Sequence, residues 1–386
     1  IITLLPNQDN QEIDAGYILI APITGNIKGI VWQDANHNKV KDTNENPLAD
    51  VLVSLYDLNN NLISSQMSLT DGSYIFTNVA FGDYYIKVPQ LDNLLFVQFT
   101  GQSQPLDSDI TNDFGEGTTR ILMVFPGETI ENIDLGYTSK VSIGDFVWDD
   151  LNNDGLQSSS EPGLEGITIT IFNEANNIEA TTVSDANGQY LLTDIPVGRY
   201  TLEFGLPQGY LYANNNLSNP LINSKPNSET GKTMLLDFSV PQSYNDVDAG
   251  FVRSGSIGDN VWLDLNGNGI FQAGEPGIND IKVTLYNVDG SKVAETLTKA
   301  APVGDFVGYY IFENVRPGSY YIHFDLPLSY IISPANIGDV NSDNNITAAN
   351  GVNTTDTFIL GVGEVIQNID AGAYIPATIG DLVWND

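Results

Sequence analysis

The sequence contains no cysteine. No disulfide, zinc–thiolate centre or thiol nucleophile can be built from it. Histidine is almost as scarce, at two residues, and Lys and Arg together number 14 against 49 Asp and Glu, for a formal net charge of -35. A field of that sign repels phosphate backbones, so nucleic acid is not an expected partner. No apolar run approaches the roughly 18 residues of a membrane-spanning helix. The opening IITLLPNQDNQEIDAGYI has neither a basic leader nor a signal-like apolar stretch, so export signals are expected outside this stretch. No Pro- or Ser-rich linker and no convincing amphipathic helix interrupts the chain.

What is present is enough apolar material for cores: 41% hydrophobic and 10% aromatic over 386 residues, a length that suggests two to four domains. The chain also repeats itself. GIVWQD (29–34), GDFVWDD (144–150), GDNVWLD (258–264) and GDLVWND (380–386) share one register, and their tryptophans, Trp32, Trp148, Trp262 and Trp384, are all four in the chain. Late in each unit come GSYIFTNVAFGDYYIKV (72–88), GQYLLTDIPVGRYTLEF (188–204) and GYYIFENVRPGSYYIHF (308–324). EIDAGY (12–17), NIDLGY (132–137), DVDAGF (246–251) and NIDAGA (368–373) close the units. The organisation read from these marks is the tail of an upstream repeat (1–21), complete repeats at 24–138, 140–252 and 254–375, and the first strand of a downstream repeat (377–386).

Within a unit the period is two. VLVSLY (51–56), GITITIF (166–172) and IKVTLY (281–286) alternate large apolar with smaller or polar residues, and turn chemistry such as DANGQ and VDGSK separates such runs. Several short strands in each unit of about 115 residues predict an all-β fold of tandem antiparallel β-sandwiches.

Each tryptophan of the complete repeats leads into an acidic loop spaced like the EF-hand calcium loop. In the second repeat Asp150, Asn152, Asp154 and Glu161 fall at positions 1, 3, 5 and 12, with Gly155 at the turn and the Leu156 carbonyl at position 7. The third repeat has Asp264, Asn266, Asn268, Gly269, Ile270 (carbonyl) and Glu275 in the same places. The first has Asp34, Asn36, Asn38, Val40 (carbonyl) and Glu45, with Asp42 at position 9 and Lys39 where the glycine should be. A non-glycine residue in a left-handed conformation costs on the order of 1 kcal/mol. The first site is therefore expected to be the weakest, with Asp42 offsetting part of the loss. Asn, Asp and Gly are also ordinary turn residues, but three matches at one place in three repeats argue for bound Ca2+. Proline follows the glutamate directly or one residue later, so the loop geometry sits between two strands rather than two helices.

The register IGDFVWDDLNNDGLQSSSEPGLEGITITIF, with GQYLLTDIPVGRYTLEF and NDVDAGF, resembles the B repeats of serine-aspartate repeat surface proteins of Gram-positive bacteria, relatives of the collagen-adhesin B-type domains with a prealbumin-like or immunoglobulin-like sandwich. The resemblance implies calcium-binding sandwiches that form a stiff extracellular stalk at the cell surface, with ligands at the loop residues named above. The first repeat departs from the pattern, with Lys28 read in place of the Asp of IGD and Lys39 in place of Gly. Related collagen-adhesin domains carry Lys–Asn isopeptide bonds. Lys28 and Lys140 do not share a position, and Arg253 stands in the third repeat with no Lys nearby, so no such bond is expected here.

A second cation site is a further reading, at Asp107, Asp109 and Asp113 in LDSDITND, with DVNSDNN (339–345) a weaker counterpart. Enzymatic activity is not expected. His37 lies inside the first loop, and His323 occupies a position held by Lys87 and Glu203 in the other repeats. Three functions stay open: a calcium-stiffened stalk or fibre segment, an adhesin whose variable segments 90–120, 205–235 and 326–358 meet a host protein, a polysaccharide or a neighbouring cell, and a head-to-tail filament formed by strand complementation between the partial units at 12–20 and 377–386. The partners expected are calcium ions and neighbouring repeats.

Overall fold

The computed structural model of the chain describes residues 24–101, 106–304, 306–377 and 380. The partial units at either end, with Trp384, fall outside these residues except at 377 and 380. Among the described residues there is no helix, and so none that could cross a membrane. The chain divides into two compact units, one built on the residues up to Val141 with 194–198 and 238–242, the other on the remainder.

The first repeat contributes β1 (Thr24–Asp34), β2 (Leu52–Asp57), β3 (Leu62–Met67), β4 (Ser73–Ala80), β5 (Gly82–Lys87), β6 (Leu94–Phe96), β7 (Leu122–Val124), β8 (Thr129–Ile130) and the start of β9 (Leu135–Asp149). One sheet runs β3-β2-β5-β7, antiparallel throughout. In the other, β1 pairs antiparallel with β4 but parallel with β9, Val31 lying opposite Leu135. The alternation seen in the sequence has its expected result. Val53 and Leu55 from one sheet meet Ile27, Val31 and Leu135 from the other in a core that excludes water.

The second unit repeats the plan twice. β9 continues into it and is followed by β10 (Thr168–Asn173), β11 (Ile178–Val183), β12 (Gln189–Pro196), β13 (Gly198–Phe204), β14 (Tyr210–Tyr212), β15 (Leu236–Phe238), β16 (Ser243–Tyr244) and β17 (Ala249–Arg253). The third repeat has β18 (Gly255–Leu263), β19 (Lys282–Asn287), β20 (Lys292–Leu297), β21 (Tyr309–Val315), β22 (Gly318–Asp325), β23 (Ile331–Ile332), β24 (Phe358–Leu360), β25 (Val365–Ile366) and β26 (Ala371–Tyr374). Four-stranded sheets β11-β10-β13-β15 and β20-β19-β22-β24 match the one in the first repeat.

First and last strands are parallel neighbours again, with Ala249 opposite Val147 and Ala371 opposite Val261. The sandwiches are thus antiparallel except along each first strand, which takes its last strand and also β8, β16 or β25 in parallel. A buried tyrosine fixes each closure: Tyr74 donates to the Ile133 carbonyl (2.5 Å), Tyr190 to that of Val247 (2.5 Å) and Tyr310 to that of Ile369 (2.6 Å).

Candidate cation-binding loops

Each acidic loop leaves the end of a first strand and is pinned where it returns. In the second repeat the Asp149 N–H donates to the Pro162 carbonyl and the Leu164 N–H to that of Val147, so residues 150–161 are held at both feet. The bonds Gln33 to Asn46 and Leu263 to Pro276 do the same in the other repeats.

Inside the loops one pattern recurs. The first aspartate is buried and gathers amide protons from the turn: Asp34 Oδ2 from Lys39 (2.8 Å), Asp150 Oδ2 from Gly155 (2.9 Å) and Asp264 Oδ2 from Gly269 (2.8 Å). The asparagines and aspartate at positions 3 and 5 accept amide protons two residues on. Asn36 takes that of Asn38, Asn152 that of Asp154 and Asn266 that of Asn268; Asn38, Asp154 and Asn268 take those of Val40, Leu156 and Ile270.

The glutamate at position 12 joins the two ends. Glu45 Oε1 and Oε2 accept from Ala35 (2.8 Å) and Asp42 (2.9 Å). Glu161 accepts from Leu151 (3.1 Å) and Ser158 (2.9 Å), and Glu275 from Leu265 (3.0 Å) and Gln272 (2.9 Å). In the first loop Asp42 Oδ2 also draws in the Asn36 and Asn38 amides, both at 2.9 Å. That places the extra acid at position 9 among the other donors, where its charge can offset part of the lysine at the turn. His37, half-buried in this loop, has its imidazole pushed down to about 4 by desolvation and by Lys39.

Burial sets the electrostatics. It pushes the Asp34 carboxyl up to about 6, with Glu45 adding to the shift and the Lys39 amide opposing it. Asp150 and Glu161 are raised by burial as well. Asp264 is desolvated too, but the amides of Gly269, Gly267 and Asn268 prevail and hold it low. Each loop thus keeps two carboxylates close under cover, the condition in which a positive charge between them gains most. Among the described residues no three His, Cys, Asp or Glu side chains form a metal cage. The remaining loop donors are the carboxylates of Asp42 and Asp154 and amide and carbonyl oxygens. An all-oxygen set of this kind suits a hard cation that takes six to eight oxygen ligands.

The turn position is left-handed in all three loops, at φ 69° for Lys39, 73° for Gly155 and 78° for Gly269. Lys39 therefore carries the backbone strain expected from its sequence.

Two readings of the sequence change. Asp107 and Asp109 are both buried, but Asp113, read with them from the sequence, is exposed. The third carboxyl beside them is Asp134, on the closing motif, whose N–H donates to Asp109 Oδ2 (2.9 Å). Lys28, moreover, does not replace the Asp of IGD. Lys28 lies opposite Ile75 as Gly258 lies opposite Ile311, and Gly29 lies opposite Tyr74 as Asp259 lies opposite Tyr310. Glycine is required there, because a Cβ on Gly29 would sit 1.8 Å from the Ile133 carbonyl oxygen.

The closing motifs supply functional-looking carboxyls that sequence reading missed. Asp248 is fully buried and pushed up to about 8 by burial and by Asp145. Asp370 reaches about 8 through burial and Asp259. In each case first and last strands bring two acids together, which share a proton more readily than they both ionise. The loop–segment bridges Val40 to Asp107, Leu156 to Asn223 and Ile270 to Asp343 show that all three loops also lean on the same connecting segment.

The SdrD B-like domain matches residues 25–137, 141–251 and 255–373, one match for each loop-bearing sandwich. The chain belongs to the SdrD B-like domain family. Its three B-like repeats are 33% identical over 368 residues to serine-aspartate repeat-containing protein F of Staphylococcus epidermidis, covering 92% of this chain and 20% of that protein. They are 32% identical over 371 residues to serine-aspartate repeat-containing protein D of Staphylococcus aureus strain Newman, covering 93% and 26%. The chain thus spans about a fifth to a quarter of these relatives. Among solved structures, the Streptococcal ancillary pilin overlays at a TM-score of 0.30 and 11% identity, over 90% of this chain and 98% of its own. Overlays that loose carry no functional argument.

Proposed function

We propose that these B-like repeats are a calcium-stiffened stalk segment of an extracellular, cell-surface protein. The observation that supports the reading most is the glutamate at position 12. In all three repeats it bonds amides at both ends of its loop while the first aspartate lies buried beside it. Asp34, Asn36, Asn38, Asp42 and Glu45 would hold one ion with the Val40 carbonyl. Asp150, Asn152, Asp154 and Glu161 would hold a second with that of Leu156. Asp264, Asn266, Asn268 and Glu275 would hold a third with that of Ile270. A bound ion supplies positive charge to each buried acid pair. The protein's part is to present the oxygens, exclude water from the aspartate, and tie the end of the first strand to the start of the next.

A cation that binds only the folded form at about 100 times its Kd contributes roughly 2.7 kcal/mol per site. Millimolar extracellular calcium would then keep the repeats firm. The test is a calorimetric calcium titration of the whole chain with thermal melts alongside, set against Glu161→Gln. Saturable binding with a raised Tm, and one site fewer in the variant, is the expected result. No heat and no change in Tm would reduce the loops to turn chemistry.

A further inference from the structure

The third acidic loop reads DLNGNGIFQAGE, and its asparagines at positions 3 and 5 are each followed by glycine. The other loops differ. His37 and Lys39 follow Asn36 and Asn38 in the first, while in the second Asn153 follows Asn152 and position 5 is already an aspartate, Asp154. At an Asn–Gly step the side-chain amide lies open to attack by the next backbone nitrogen, because glycine has no Cβ to shield that nitrogen and its backbone turns freely.

The chain has four such steps, at Asn187–Gly188, Asn266–Gly267, Asn268–Gly269 and Asn350–Gly351. What separates them is the partner of the glycine N–H. Gly188 donates to the Asp185 carbonyl (2.9 Å) and Gly351 to that of Ala348 (3.3 Å), ordinary turn bonds to an acceptor too weak to take the proton. Gly267 and Gly269 both donate to one carboxylate, at 2.6 Å from Asp264 Oδ1 and 2.8 Å from Asp264 Oδ2. A carboxylate placed on such a hydrogen can remove it as a general base. The amides themselves follow the same turn. Asn266 Oδ1 accepts the Asn268 N–H (3.1 Å) and Asn268 Oδ1 that of Ile270 (2.8 Å), so each side chain is folded across the glycine that follows it.

We propose that Asn266 and Asn268 are sites of self-deamidation, active in the calcium-free loop and shielded in the loaded one. The Gly267 nitrogen bonds to the Asn266 Cγ, its hydrogen passes by way of Asp264 to the departing nitrogen, and the Cγ–Nδ2 bond breaks to release ammonia. Water then opens the cyclic imide. Opening at Cγ leaves aspartate, and opening at the main-chain carbonyl carbon leaves isoaspartate, with the chain rerouted through Cβ and Cγ. Nothing is oxidised or reduced. Gly269 acts on Asn268 in the same way. Aspartate adds a carboxylate to those of Asp264 and Glu275, whereas isoaspartate lengthens the backbone inside the turn that gathers amides onto Asp264. In the proposed calcium site both amide oxygens and Asp264 are ligands, so ring closure and proton removal are both held back. The shield rests on the calcium reading, and the modification site does not.

The test is incubation of the whole chain near neutral pH, in calcium and in chelator, after which the peptide 254–282 is mapped by mass and probed for isoaspartate by methyltransferase labelling. In chelator, conversion at Asn266 and Asn268 is expected to run about tenfold or more faster than at Asn187 and Asn350, within what a positioned base supplies. With calcium at about 100 times its Kd the free loop becomes about a hundredfold rarer, and the rate should fall with it. A third loop that stays intact in chelator, or that changes no faster than the other two steps, would overturn the proposal. So would equal rates in calcium and chelator on a sample whose calorimetry shows all three loops filled. Equal rates on a sample that gives no calcium heat would leave the modification site standing and remove the calcium reading, and the shield with it.

Discussion

Gly155 donates its amide proton to Asp150 Oδ2 across 2.9 Å while its backbone stands at φ 73°. The loop can surround its first aspartate only by turning left-handed at that point. A Cβ on Gly155 would come within 2.0 Å of the Asn214 carbonyl oxygen, so space forbids a side chain there and the left-handed backbone disfavours one. Gly155→Ala is expected to cost about 1–3 kcal/mol in a urea melt and to remove one calcium site in calorimetry.

The first loop offers the reverse experiment. Lys39 already occupies the left-handed position, at φ 69°. Lys39→Gly is expected to add about 1 kcal/mol to stability or, if the relief appears on binding, to tighten the first site about fivefold. An unchanged melt together with an unchanged titration would show that the strain at Lys39 is relieved elsewhere.

The position-12 glutamate bonds two amides in every loop, so its loss should be felt without any cation. Glu275→Ala is expected to destabilise the chain by about 1.5–3 kcal/mol in chelator, the range for hydrogen bonds to a charged group. A loss seen only when calcium is present would assign the glutamate to the ion alone.

Tyr190 donates to the buried Val247 carbonyl at 2.5 Å. Tyr190→Phe leaves that carbonyl without its partner and is expected to cost about 1–3 kcal/mol, read as a lower urea midpoint. Tyr74→Phe and Tyr310→Phe should behave alike, since the same bond recurs in those repeats.

Asp248 gives a pH dependence whose sign differs from that of a salt-bridged acid. Burial pushes it up to about 8, Asp145 adds to the shift, and Lys225 opposes it. Asp246 also bears on Asp145. Unfolded, the group titrates near 3.9. Between those values the folded state holds more protons than the unfolded one. Stability is therefore expected to fall as pH rises from about 4 to about 8 in chelator. Asp248→Asn should flatten that slope and, at pH 8, raise stability by on the order of 1 kcal/mol. A slope identical in the variant would place the proton elsewhere.

Much of the fold was legible because the signals are local. Alternation in VLVSLY and IKVTLY marked strands that bury Val53 and Leu55, and Val283 and Leu285. The loop spacing from Asp150 to Glu161 brought together residues that do share one hydrogen-bonded turn. The weaker cluster was legible only in part. Asp107 and Asp109 were found from their proximity in sequence, but Asp113 lies at the surface and Asp134, 25 residues beyond Asp109, takes the third place. The alignment at Lys28 slipped by one residue, which strand register corrected through Gly29 and Tyr74.

By itself, then, the sequence determined the repeat, the strand character and the oxygen-rich loops, because each depends on period, turn chemistry or spacing within a dozen residues. Tertiary structure alone decided that first and last strands lie parallel, and so that Asp145 meets Asp248 and Asp259 meets Asp370 across more than a hundred residues. Such pairings depend on how two sheets close over a core, and no local pattern encodes that closure.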